Sequence, residues 1–189
     1  MSARRALRLL PFALAILFAG CAGRPYVYND TLSSSYRTTE FGYGAGRRDL
    51  TTVIRGNPFG MNQEAFDRAL IEILNRNQPR PQPTNFTTTP GESARPAYRA
   101  QFIFNAPAVV NSLNVCRQEV PQVETPDLVR LSAAFCRSGG ALTSLMAQIE
   151  GVEGVDDPRF EALMSQVVAL MFPLHNPDTD DDDDPFVPD

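Results

Sequence analysis

The hydrophobic pattern changes its period along the chain, and this change constrains the fold more than any other feature. Residues 62–75 carry apolar side chains at helical spacing, namely Phe66, Ala69, Leu70, Ile73 and Leu74. Residues 98–105 and 128–136 instead alternate apolar and polar side chains. Spacing of three and four residues predicts an amphipathic helix, and alternation predicts a strand with one covered face. The chain therefore combines helices with strands.

Residues 157–172 predict the clearest helix of the chain. Asp157 is a typical N-cap residue, Pro158 occupies the first helical position, and Pro173 ends the pattern. The apolar side chains follow the helical repeat at Phe160, Leu163, Met164, Val167, Val168 and Met171.

Residues 36–56 predict a hairpin of two short strands around a glycine-rich turn at residues 44–49. Gly42, Gly44 and Gly46 do not form a dinucleotide-binding fingerprint, because Arg47 stands where the last glycine belongs. A turn is the better interpretation, since glycine is the default residue for left-handed backbone at hairpin ends.

Two further segments complete the prediction of the fold. Residues 77–96 contain five prolines and no period, so they predict a long surface loop with at most one short edge strand at 85–89. Residues 141–149 fit either a helix or a strand, and the Gly139-Gly140 turn favours a strand. The predicted fold class is α+β, a mostly antiparallel sheet with two helices packed on one face.

The N-terminus has the architecture of an export signal. Arg4, Arg5 and Arg8 precede an apolar segment at residues 9–18 that only Pro11 interrupts. This segment has about 10 residues, well short of the roughly 20 that span a bilayer. Residues 1–20 therefore predict a signal peptide rather than a permanent membrane helix.

Phe18, Ala19, Gly20 and Cys21 resemble the lipobox of bacterial lipoproteins. The family usually has Leu three residues before the cysteine, and here Phe18 takes that place. The resemblance implies that Cys21 receives a diacylglyceryl group, that a peptidase cuts before it, and that its new amine receives a fatty acyl chain such as palmitate. Two or three chains hold a protein durably on a bilayer. The alternative is an ordinary secretory signal with a chance cysteine beside its cleavage site.

The residue after the cysteine predicts the destination. In Gram-negative lipoproteins an Asp at this position tends to retain the protein in the inner membrane, and here it is Ala22. The resemblance therefore implies the outer membrane, at its periplasmic face, with the inner membrane or the cell surface as alternatives. In layout, and in the closing "VVALMFP" helix, residues 50–173 also resemble small uncharacterised proteobacterial lipoproteins with a strand-helix-strand-strand-helix module.

Lipidation of Cys21 leaves two cysteines, Cys116 and Cys136. An even pair in an oxidising compartment predicts a disulfide, with two buried free thiols as the alternative. A metal site is the weaker interpretation, because two cysteines with no histidine at zinc spacing cannot complete four ligands.

The composition excludes several classes of function. Removal of residues 1–20 leaves 14 arginines against 22 acidic residues, a net charge of −8, which is a poor basis for binding nucleic acid. The chain has no lysine, so a lysine nucleophile, a Schiff base and a P-loop are excluded.

No group of residues predicts catalysis, and we assign no catalytic residue, metal ligand or cofactor. The single histidine, His175, follows a helix end where a catalytic base is poorly held. The carboxylates of Glu150, Glu153, Asp156 and Asp157 flank glycines before a helix, and Asp157 already has a capping role. The aspartate run at residues 180–184 lacks the glycine and the glutamate of an EF-hand, and it predicts a solvated tail, with weak, nonspecific association of divalent cations as the alternative.

The predicted organisation has four parts. Residues 1–20 are a lipoprotein signal peptide, 21–35 the lipidated cysteine and a tether, 36–173 a single α+β domain and 174–189 a disordered acidic tail. The predicted function is a noncatalytic accessory or structural role in the envelope, anchored to the membrane by lipid and bound to an unidentified protein partner. The alternative is a periplasmic hydrolase or ligand-binding protein with its site near loop 77–96.

Overall fold

A computed structural model describes residues 23–177. Its elements in chain order are β1 (Tyr26–Leu32), α1 (Thr38–Gly44), β2 (Asp49–Arg55), α2 (Gln63–Arg76), β3 (Asn85–Thr87), β4 (Tyr98–Phe104), α3 (Ser112–Arg117), β5 (Leu128–Arg137), β6 (Gly140–Glu150) and α4 (Pro158–Met171). Cys21 and the aspartate run lie outside the described residues, so the predictions of lipidation and of a solvated tail stay predictions.

The α+β class is confirmed, but the sheet is mixed rather than mostly antiparallel. Its six strands have the order β1-β6-β5-β4-β2-β3. The pairs β1/β6, β6/β5 and β5/β4 are antiparallel, whereas β2 pairs in parallel with both β4 and β3. The β2/β3 pair is parallel because α2 lies between these strands and returns the chain to the same end of the sheet, and residues 88–97 return it once more to the start of β4.

The two long helices, α2 and α4, form at the positions that the sequence predicts. The Asn62 side chain accepts a hydrogen bond from the Ala65 N–H at the start of α2, and the Asp157 side chain caps α4 through the Arg159 N–H. All six apolar positions predicted for α4 are buried, as are Phe66, Leu70, Ile73 and Leu74 of α2. They share one core cluster with the side chains of β4 and β5 that alternate toward it.

The second face of the sheet is also covered, contrary to the half-covered sheet that the alternation predicts. Ile103 of β4 and Ala134 of β5 pack in a second core cluster with Val115 and Cys116 of α3. The helix α3 has only six residues, which is too short for a periodic signal in the sequence. Cys116 and Cys136 form the predicted disulfide, with a Cα–Cα distance of 5.7 Å, and link α3 to β5.

The predicted hairpin in residues 36–56 is wrong in its first half. Thr38–Gly44 form α1 rather than a strand, and Phe41 is fully buried against the rings of Phe135 and Phe172, at 5.9 and 4.9 Å. Gly44 serves close packing instead of a turn, because a Cβ there would lie 2.4 Å from the Tyr98 ring. The left-handed residue of this connection is Arg47, with φ of 56°.

The remaining strands follow the prediction, and the folded part extends beyond the predicted domain boundaries. Residues 85–87 form the short edge strand, and residues 141–149 belong to β6 rather than to a helix. The predicted tether contains β1, which pairs with β6. Beyond α4, Asn176 is 4% exposed and donates to the carbonyls of Ser33 and Tyr36. The strand β1 and the segment after α4 are both held by hydrogen bonds to residues far away in the sequence, and the local sequence of a short polar segment does not indicate such bonds.

Candidate functional site

Loop 77–96, the location predicted for a ligand or substrate, is fixed to the start of β2. The Asp49 carboxylate accepts hydrogen bonds from the Asn85 side-chain amide and from the Gly91 N–H, both at 2.7 Å, and the Asp49 N–H donates to the Ser93 hydroxyl. The Asn85 bond, followed by those of Gly91 and Ser93, lowers the pKa of Asp49. These hydrogen bonds fix the loop in place. The Asp49 carboxylate at the start of β2 is therefore already occupied by bonds to the loop.

A polar groove of about 450 Å³ lies beside this loop, between α2 and residues 87–89. Its charged lining comes from one helix: Glu64, Asp67, Arg68 and Glu72. The Asp67 carboxylate accepts a hydrogen bond from Gln63. Acidic side chains on one helix surface do not face each other across a cleft, as paired-carboxylate hydrolysis requires.

The other residues tested for chemistry are separated in the structure. Asp157 pairs with Arg159 at 2.6 Å, and hydrogen bonds from Arg159 lower the pKa of Asp157. Glu150, Glu153 and Asp156 are exposed. His175 is exposed in a recess with Thr38, Thr39 and Gln82, at the opposite end of the sheet. The structure therefore does not bring the histidine together with this acidic group.

A second groove, of about 420 Å³, lies between α3 and the strands β1 and β6. Ser132 and Ser144, which are 1% and 7% exposed, contribute to its lining, and Val109, Val115 and Met146 contribute apolar side chains. Sequence reasoning missed this groove because its residues come from separate elements and from the short helix α3.

The charged residues are distributed unequally between the two ends of the sheet. At one end, segments 33–49, 77–84, 88–97 and 137–140 carry six arginines and three acidic residues, a balance of +3. At the other end, segments 23–25, 56–62, 119–127 and 150–159 carry two arginines and seven acidic residues, a balance of −5. We call these the basic end and the acidic end. The topology brings each set of connections together, although they are distant in the sequence.

The basic end contains a group of aromatic and arginine side chains, which we call the Tyr43 surface: Tyr43, Arg95 and Arg137, together with Arg47 from the connection that follows α1. Tyr43 is 55% exposed, and the Arg95 guanidinium lies over its ring, 4.6 Å from the centroid. This distance is within the range of a cation–π interaction. Below it, the Tyr98 ring contacts the Tyr43 ring edge-on, with centroids 6.0 Å apart.

Glu40 connects α1 to the sheet beneath the Tyr43 surface. Its Oε1 atom accepts a hydrogen bond from the Tyr98 hydroxyl at 2.5 Å and pairs with Arg137 Nη1 at 2.7 Å. Partial burial raises the pKa of Glu40, but the bonds from Tyr98 and Arg137 outweigh it, so the net pKa is lowered. Burial, together with the bond to Glu40, raises the pKa of Tyr98. These contacts hold Tyr98 and Arg137 in fixed positions.

Replacement of Glu40 by Gln tests this connection through its pH dependence. Glu40 has a lower pKa in the folded protein than its ordinary value of 4.5, so its ionised form stabilises the fold above about pH 4.5, and this contribution is lost as the pH falls through the folded pKa. We expect Glu40→Gln to lower the free energy of unfolding by about 1 kcal/mol at neutral pH, and by less near pH 3, which lies below the ordinary pKa of the carboxyl. Urea unfolding at both pH values measures the difference.

The control for this experiment is Glu92→Gln, which removes an exposed carboxylate at the same end. It should change the unfolding free energy little at either pH. A loss for Glu40→Gln that is the same at pH 3 and at neutral pH would show that ionised Glu40 does not hold α1.

Two classes of site are absent from the described part of the chain. Among residues 23–177, no group of three or more His, Cys, Asp or Glu side chains is arranged to hold a metal ion. Within the same residues, no helix has the length and apolar character needed to cross a bilayer.

Comparisons with protein families, with curated proteins and with solved structures find no match to this chain.

Proposed function

We propose that this protein is a lipid-anchored envelope lipoprotein with a noncatalytic accessory or structural role, and that it binds a protein partner in the envelope. The observation that carries the proposal is Cys21, placed behind an apolar export signal and two small residues. Ala22 favours the outer membrane and its periplasmic face. No cofactor and no nucleic acid take part in this function.

The disulfide between Cys116 and Cys136 supports the compartment in this proposal. Disulfides form and persist in the periplasm and in other oxidising spaces, and are rare in the cytosol. Both cysteines are fully buried, and they fix a segment that covers one face of the sheet. In the proposal, α2 and α4 cover the other face and have a structural role.

The binding role is supported by a contrast between polar residues that make contacts within the domain and polar residues that face solvent. Asp157 caps α4, Asp49 holds loop 77–96, and Glu40 holds α1. The Tyr43 surface, in contrast, presents an exposed aromatic ring and arginines to solvent. The alternative function, a hydrolase or ligand-binding protein, would place its ligand in the groove between α2 and residues 87–89. We favour a partner-binding protein because the charged lining of that groove lies on a single helix.

Replacement of Cys21 by Ser in the full-length chain tests the anchor. We expect the variant to lack fatty acyl chains and to leave the membrane fraction, or to stay unprocessed, because the serine hydroxyl does not replace the thiol in lipidation. Fractionation of the envelope and mass spectrometry of the intact protein measure this result. The proposed anchor is wrong if the Cys21→Ser variant still fractionates with the outer membrane.

A matched variant tests the destination separately. Ala22→Asp retains Cys21, so it should still be acylated, and we expect it to move from the outer to the inner membrane. Separation of the two membranes on a density gradient distinguishes these positions. An unchanged distribution would contradict the assignment to the outer membrane while leaving lipidation intact.

A further inference from the structure

The position of Gly23, the first residue that the structure describes, determines which end of the domain an anchor at Cys21 would hold. Gly23 lies beside Glu150, where a Cβ on Gly23 would be 3.0 Å from the Glu150 Cβ, so the described part of the chain begins at the acidic end. Cys21 precedes Gly23 by two residues, a reach of at most about 7 Å. An acylated Cys21 would therefore keep the acidic end at the bilayer surface.

The Tyr43 surface lies at the opposite end of the sheet. The strand β5 runs from Leu128 near the acidic end to Arg137 at the basic end and contains 10 residues. At about 3.4 Å per residue, these ends are separated by roughly 30 Å. The basic end would thus face away from the anchoring leaflet.

We propose that the Tyr43 surface binds an acidic surface of a protein partner that lies away from the membrane. This inference rests on the proposed lipid anchor at Cys21. The basic end has a formal balance of +3, whereas the whole chain has a net charge of −5, so an acidic partner is attracted at this end and repelled elsewhere.

The side chains of the surface favour a protein over an anionic bilayer. Tyrosine and arginine are enriched among the residues that dominate the energetics of protein interfaces. The Arg95 guanidinium is already placed over Tyr43, and Arg137 is held by Glu40, which reduces the entropy lost when a partner binds. Among the described residues, Arg47 and Arg95 form no ion pair with a carboxylate, which leaves both charges for a partner.

The first experiment measures binding of a fluorescent poly-glutamate peptide to the full-length acylated protein. We expect binding that weakens at higher salt, because exposed charges are screened. The double variant Arg47→Gln/Arg95→Gln should weaken binding by about fivefold or more. The control is Arg24→Gln/Arg68→Gln, which removes the same charge from exposed positions outside the basic end and should stay within about twofold of the wild type.

Three results of this experiment would overturn the inference. They are the absence of peptide binding, an equal loss in both double variants, and tighter binding of phosphatidylglycerol vesicles than of the peptide. The last result would indicate a bilayer as the ligand of the basic end.

The second experiment tests the orientation in intact envelopes. Tyr43 is replaced by the photoreactive residue benzoylphenylalanine, and the same residue at Leu170, which is 45% exposed on α4, serves as the control. We expect a protein adduct at position 43 whose mapped peptide is acidic and whose yield falls in the Arg47→Gln/Arg95→Gln background. Adducts with lipid at position 43, or equal yields at both positions, would contradict the inference.

The Cys21→Ser variant separates a failure of this inference from a failure of the proposed function. Peptide binding to the Tyr43 surface should persist in Cys21→Ser, because the surface does not need the lipid. If Cys21→Ser still fractionates with the outer membrane while the peptide still binds, the lipoprotein function alone is refuted. If the anchor prediction holds and the peptide does not bind, only the proposal that the Tyr43 surface binds an acidic partner is refuted.

Discussion

Replacement of Phe135 by Ala is expected to lower the free energy of unfolding by about 3 to 5 kcal/mol, the range for large-to-small changes at buried aromatic residues. Phe135 is fully buried, and its ring contacts those of Phe172, Phe41 and Tyr98 at centroid distances of 5.3, 5.9 and 6.0 Å. It therefore joins β5 to α1, to the start of β4 and to the end of α4. Urea unfolding monitored by circular dichroism measures the loss.

Two further variants keep this prediction informative. Domains of this size are stable by about 5 to 15 kcal/mol, so the loss expected for Phe135→Ala is a large fraction of the total. Phe135→Leu retains most of the apolar volume and should cost about 1 to 2 kcal/mol. Leu170→Ala changes an exposed position of α4 and should cost about 0.5 kcal/mol or less. A loss below about 1 kcal/mol for Phe135→Ala would contradict the central position of this ring.

Removal of the disulfide is expected to lower the free energy of unfolding by about 3 kcal/mol, because the bridge closes a loop of 20 residues and restricts the unfolded chain. The double variant Cys116→Ala/Cys136→Ala and the reduced wild-type protein should show similar losses. Mass spectrometry of the unreduced protein should detect no alkylatable thiol at either cysteine.

Removal of the disulfide should destabilise mainly the segment that the disulfide links to β5. Residues 105–127 cover the second face of the sheet, where the Arg55 and Arg99 guanidinium groups also donate to the carbonyls of Gln118 and Cys116. Hydrogen exchange should therefore increase in this segment more than in α2 or α4. Cys21→Ser is the matched control, since it removes a cysteine and retains the bridge. Equal unfolding midpoints with and without reductant would show that the disulfide does not stabilise the fold.

The candidate site was less predictable than the fold. Arg47 and Arg95 stand in two loops, and Tyr43 belongs to a segment whose aromatic and β-branched residues predict a strand. Nothing in the spacing of these residues indicates that they meet. Tyr43 and Arg95 meet because α1 packs on the sheet through the buried Phe41 ring, and because loop 88–97 returns to the start of β4 beside it, while Arg47 follows α1 at the same end of the sheet.

The predicted strand at residues 36–43 shows why local pattern failed there. A strand and a short helix compete closely in a segment of this length, since neither forms enough local hydrogen bonds to be stable alone. The contacts of Phe41 with Phe135 and Phe172 come from residues about 90 and 130 positions away, and these contacts favour the helix. Likewise, the polar residues before position 36 do not reveal that β1 pairs with the distant strand β6.

The sequence by itself determined the α+β class, both long helices with their capping residues, the strands β4 and β5, and the cysteine pair that forms the disulfide, and it favoured a strand over a helix for β6 through the Gly139-Gly140 turn. These features depend on periodicity and on local hydrogen bonds, which act within one turn of helix or along one strand. Only the tertiary structure decided the mixed strand order, the helices α1 and α3, and the separation of charge between the two ends. The physical reason is that these features depend on contacts between segments far apart in the chain, and such contacts leave no periodic trace in either partner.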